Sequence, residues 1–164
     1  MLNDYRVCSL LEPLAIAAHV TQGPRTRLYH VLITLGNLYR IYSHKDIEPA
    51  VQEKVLGSLE KQWAAADQDI FIAAVILNPY LRGKCFSRTI QELTPIGICN
   101  MLKSLHFRVF RKEADWSFQA AFMDYHYERK EFSPEWMQLD GWKANAKAHV
   151  RNVYCQSFHL LTVI

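Results

Sequence analysis

Apolar residues recur along this chain at three- and four-residue steps, and before residue 150 no stretch alternates as a half-buried strand would. A first helix is predicted over residues 4–20, with Leu10, Leu11, Leu14 and Ala18 on one face and Pro13 expected to kink or split it. Leu28, Val31, Leu32, Leu35, Leu38, Tyr39 and Tyr42 predict a second over residues 26–43. A third, capped near Asp46 with Pro49 in its first turn, carries a stripe of Val51, Val55, Leu59 and Trp63 to residue 65. Asp67 is placed to cap a fourth, 67–77, whose run from residue 70 to residue 77 is apolar on every side until Asn78-Pro79 ends it. Such a run belongs among other helices, so Trp63, Phe71, Ile72, Val75 and Ile76 are expected to be buried against Leu32, Leu35 and Leu38.

Residues 80–92 read as a loop with one short turn. Thr94-Pro95 opens a fifth helix to residue 110, residues 114–127 form a sixth, and Ser133-Pro134-Glu135 starts a seventh to residue 148. Residues 150–164 fit neither period and are expected to fold back on the helices. The fold class is all-α: one domain, 1–164, built as an irregular bundle of about seven helices.

The wording of residues 59–82 adds a resemblance. Trp63, Asp67-Gln68, Phe71-Ile72-Ala73-Ala74 and Leu77-Asn78-Pro79 with a basic residue soon after resemble the hAT superfamily of DNA transposases. The likeness is to transposase-derived proteins of the fungal type. Leu28 to Arg40 upstream, and Phe118 to Tyr125 with Glu131-Phe-Ser-Pro-Glu-Trp136 downstream, extend it over residues 5–143; residues 144–164 diverge. The family's ribonuclease H-like sheet holds three metal-binding carboxylates and is interrupted by a large helical insertion. This chain resembles part of that insertion. The resemblance therefore implies a truncated helical fragment whose catalytic carboxylates lie outside it, with DNA as partner and an intracellular, nuclear setting.

Composition is that of an ordinary globular chain, with 50% hydrophobic and 21% charged residues and a formal net charge of +3. This falls short of the dense positive field of a dedicated nucleic-acid binder. No apolar stretch is long enough to span a bilayer, so no membrane partner is expected. Cys8, Cys85, Cys99 and Cys155 form no C-x-x-C pair; Cys85, in a loop, is the one best placed to react.

Chemistry-bearing constellations are sparse. No His-x-x-x-His pair, glycine-rich phosphate loop or Gly-x-Ser-x-Gly elbow occurs. Asp67 and Asp69 fit a helix cap and first turn, and Asp124 and Glu128 a solvated helix face at i, i+4. No catalytic residue, metal or cofactor is expected. What remains is basic: Lys103, Arg108, Arg111 and Lys112, beside His106, Phe107 and Phe110, are candidate nucleic-acid contacts, although cations also complement a helix C-terminus. Arg25, Arg27 and Arg40 flank the second helix. Two functions follow: an inactive, DNA-associated scaffold, or a helical module for protein interaction or self-association.

Overall fold

The structure, a computed structural model, describes residues 2–87 and 89–149, with side chains for 7–87 and 89–144. Eight α-helices and two short 3-10 turns form, and no strand occurs among the described residues. The fold is all-α. Residues 150–164, including the expected fold-back, lie outside the described residues. The chain divides into two compact units, Met1–Val75 and Ile76–Ile164.

The first unit holds α1 (Leu2–Gln22), α2 (Leu28–Tyr42), α3 (Pro49–Ala65) and all but the last residue of α4 (Gln68–Ile76). α1 runs unbroken through Pro13, which removes one backbone donor without splitting the helix. Its buried Ala17 meets Leu38, Tyr42 and Leu59 in a core flanked by Leu14, Leu35, Val55 and Leu56. The Tyr42 hydroxyl donates to the Leu10 carbonyl, so the most enclosed aromatic of this core also fastens α2 to α1. At the start of α2, the Arg27 N–H donates to His30 Nδ1 at 3.1 Å and satisfies a donor that the helix leaves free.

Two expectations change here. Glu48, rather than Asp46, precedes α3, because Pro49 takes the first helical position with its φ already fixed; Asp46 instead lies 3.2 Å from His44. In α4 the enclosure is partial. Ala73, Val75 and Ile76 are buried, but Trp63, Phe71 and Ile72 are only half-buried and Leu77 is exposed. Trp63 and Phe71 lie with ring centroids 6.3 Å apart. An unbroken apolar run shows that a helix needs cover without showing which of its turns receive it.

The second unit holds α5 (Pro95–Phe110), α6 (Trp116–His126), α7 (Pro134–Met137) and α8 (Leu139–His149), with 3-10 turns at Gln91–Leu93 and Lys130–Phe132. Its core is Ile76, Ile98, Cys99, Leu102, Phe122 and Tyr125. The cap signals act as read: Thr94 Oγ1 accepts from Gly97 N–H at 3.3 Å, and Ser133 Oγ accepts from Trp136 N–H at 3.3 Å. The expected single helix over 133–148 arrives as α7 and α8, because Gln138 turns left-handed at φ 49° and ends the first of them.

One arginine organises this unit. Arg82, 6% exposed, donates from Nε to Pro79 O (3.0 Å), from Nη1 to Tyr125 O (2.9 Å) and from Nη2 to Phe132 O (2.7 Å). Tyr125 in turn donates its hydroxyl to Ile76 O at 3.0 Å. The turn that delivers Arg82 is built by Asn78: its side chain accepts from Tyr80 N–H at 3.0 Å, and its carbonyl accepts from Leu81 and Arg82 N–H.

Candidate nucleic-acid interface

The cations expected at the end of α5 separate into one structural and three exposed side chains. Lys103 is half-buried, and its Nζ donates to Gln119 Oε1 at 2.8 Å, tying α5 to α6. Arg108, Arg111 and Lys112 are exposed. Arg111 ends the helix in the left-handed region, φ 54°, with its N–H donating to Phe107 O at 2.8 Å.

The last turn of α5 differs from an ordinary amphipathic helix end. Phe107, Arg108, Val109 and Phe110 are consecutive and all exposed, at 45% for Phe107 and 68% for Phe110. Four consecutive residues point to all sides of a helix, so this turn is exposed around its circumference, although the Phe110 ring packs on His106. Trp116, the first residue of α6, is 79% exposed. His106 braces the surface from beneath: its ring lies 4.9 Å from that of Phe110 and 5.3 Å from that of Phe118, and its Nδ1 is 2.9 Å from Lys112 O.

Of the acidic side chains nearby, Glu113 is exposed beside Lys112, while Asp115 is engaged in structure. Asp115 Oδ1 accepts from Ser117 Oγ at 2.6 Å and from Phe118 N–H at 3.0 Å; these bonds hold its carboxyl below the usual range. The Asp124 and Glu128 expectation needs correction. α6 ends at His126, so they share no helix face: Asp124 pairs with Lys130 Nζ at 2.5 Å, while Glu128, at φ 55°, lies 3.7 Å from Arg82 and 3.8 Å from Lys84. Asp67 directly precedes α4, and its carbonyl accepts from Ile70 N–H at 3.2 Å. Among the described residues no three His, Cys, Asp or Glu side chains gather as a metal site. Burial pushes the Cys85 thiol up, which disfavours the reactive thiolate.

Arg25, Arg27 and Arg40 belong to the first unit, apart from the α5 group in sequence and unit. That unit has a feature of its own, a groove of about 210 Å³ lined by Leu32, Leu35, Gly36, Tyr39, Leu59 and Trp63 with Glu60 at its edge. Sequence reasoning missed the exposure of Trp116, whose only signal is its place directly after the Asp115 cap, where side chains often face outward. No helix among the described residues is long and apolar enough to cross a membrane. Comparison with protein-family models, curated proteins and solved structures returns no match to this chain.

Proposed function

We propose that this chain is a non-catalytic helical scaffold, akin to the helical insertion of hAT transposases, that associates with DNA. The observation that carries this reading is the end of α5, where Arg108, Arg111 and Lys112 are all exposed to solvent. Polyanion binding needs accessible cations on a fixed frame, and Lys103, His106 and the Asp115 cap supply the frame. The absence of catalysis is an expectation of the sequence likeness alone; in the structure Asp115 serves as a cap and Asp124 and Glu128 lie in ion pairs. The ancestry rests on the sequence likeness, and Asn78-Pro79 with Arg82 gives that pattern a physical task as a turn and an anchor. Association with DNA would place the protein inside the cell, in the nucleus.

Duplex DNA titrated at rising salt tests the reading. Affinity should fall with log salt at a slope of about −0.9 per phosphate neutralised, and triple replacement of Arg108, Arg111 and Lys112 by alanine should abolish binding. With magnesium or manganese the DNA should stay intact. Binding that ignores salt, or metal-dependent cleavage lost on changing Asp67 or Asp124, would overturn it. A second reading, self-association, is favoured by the apolar groove between α2 and α3. It requires a concentration-dependent dimer in the absence of DNA.

A further inference from the structure

Helix α2 begins without the usual supports. Its N-cap is Arg27, whose side chain has no acceptor to offer, and its first turn holds no acidic residue. His30, in the third helical position, supplies a side-chain acceptor instead, where glutamate or glutamine commonly reaches back to the N-cap backbone. A backbone N–H can only donate, so the 3.1 Å bond from Arg27 N–H requires a bare Nδ1, with the ring proton on Nε2. A second proton removes that acceptor. It also adds a cation that the Arg27 charge repels, at the helix end where the backbone dipole is already positive. Loss of the bond, repulsion and dipole act in one direction.

The surrounding charges are mixed. α1 packs on α2 with His19 in its last turn, and the connection between them adds Arg25. The half of α3 that shares the groove with Leu32 carries Glu60 and Lys61, both exposed and screened by water. The Tyr29 ring, its centroid 4.1 Å from that of His30, stays neutral over the range concerned. Burial, and after it the Arg27 charge, hold the His30 imidazole below the usual histidine range. The folded chain thus binds this proton less readily than the unfolded chain. Stability is therefore complete above the ordinary histidine value and is lost as pH falls from there through the folded value.

We propose that the start of α2 is an acid-sensitive switch: protonation of His30 releases the Arg27 N–H and frays the first turn, residues 28–31, which leads directly into Leu32 at the groove. The switch concerns the first unit alone and goes beyond the DNA reading.

Two-dimensional NMR of the full chain, titrated from about pH 7.5 to about pH 5, tests it. The His30 ring should ionise below about 6.5, and the Arg27 amide shift should follow the same curve. His30→Gln keeps an acceptor that cannot titrate, and it should abolish the Arg27 response. Across the same range the difference in melting temperature between this variant and the wild type should change by about 2–4 °C, in favour of glutamine at the acid end. An Arg27 amide that ignores His30, or a His30 ring that ionises at or above the ordinary value, overturns the switch. So does a glutamine variant whose melting temperature varies with pH as that of the wild type does. The wild-type titration decides the matter even where the variant fails to fold.

Discussion

The guanidinium carbon of Arg82 lies 4.8 Å above the centre of the Tyr125 ring, and the same guanidinium donates to the Tyr125 carbonyl. One side chain thus holds both the face and the backbone of a residue 43 positions away. Lysine cannot reproduce this, because it lacks the planar fork that reaches several carbonyls at once. Arg82→Lys and Arg82→Ala should each lower stability by about 3 kcal/mol, read as a reduced midpoint in urea unfolding. A change below about 0.5 kcal/mol would mean that the three carbonyls find other donors.

Gly97 is fixed by steric exclusion. A Cβ there would stand 2.5 Å from Glu92 O and 2.8 Å from Gln91 O, both backbone atoms with little freedom to move. Gly97→Ala should cost about 1–3 kcal/mol, and Thr94→Ala, which removes the neighbouring cap, about 1 kcal/mol. Thermal unfolding followed at 222 nm measures both, and an unperturbed Gly97→Ala would refute the close approach.

Gly36 and Gly57 show the opposite case, each inside a helix with nothing near the place a Cβ would occupy. Replacement of either by alanine should raise stability by about 0.5–1 kcal/mol through backbone entropy. At Gly36, a larger residue reports on function as well, since this glycine lines the groove. Gly36→Leu should leave the fold intact and abolish any dimer that uses the groove; a dimer that survives does not use it.

Burial pushes the Tyr125 phenol up to about 12, with the Arg82 charge working against the rise and Glu128 adding to it; burial raises Tyr42 as well. A folded-state value above that of the unfolded chain means stability that is full below the ordinary tyrosine range and lost as pH rises through the folded value. Unfolding temperature should therefore fall from about pH 10 towards pH 12. In an ultraviolet titration Tyr42 and Tyr125 should ionise last, together with loss of helix. All tyrosines ionising in one step near pH 10, with helix retained, would contradict this.

Helix positions were legible in the sequence wherever a local signal exists. Thr94-Pro95 and Ser133-Pro134 place helix starts because a hydroxyl cap and a proline act within a single turn. Gln138 gave no warning: it takes a conformation favoured by glycine, and only the structure shows that α7 stops there. The role of Arg82 was illegible for a different reason. Its distant partners are backbone carbonyls at residues 125 and 132, and a carbonyl leaves no trace in the choice of amino acid. Lys103, Arg108, Arg111 and Lys112 were legible as a group through their crowding in sequence. That Lys103 is committed to Gln119, while the other three remain exposed, depends on how α6 returns past α5.

Five residues other than glycine hold positive φ among the described residues: Arg82, Arg111, Glu128, Lys130 and Gln138. All five belong to the second unit. A side chain in that region costs about 1–2 kcal/mol that glycine would avoid. The second unit is thus held well below the stability that its backbone permits, and at exposed Arg111 and Gln138 a single substitution would recover some of it. Arg111→Gly separates two pressures that otherwise act unseen: it should raise the melting temperature while weakening the DNA association proposed above. A sequence that keeps arginine there keeps a thermally weaker helix end in exchange for charge, and laboratory selection for heat resistance alone should discard that arginine early.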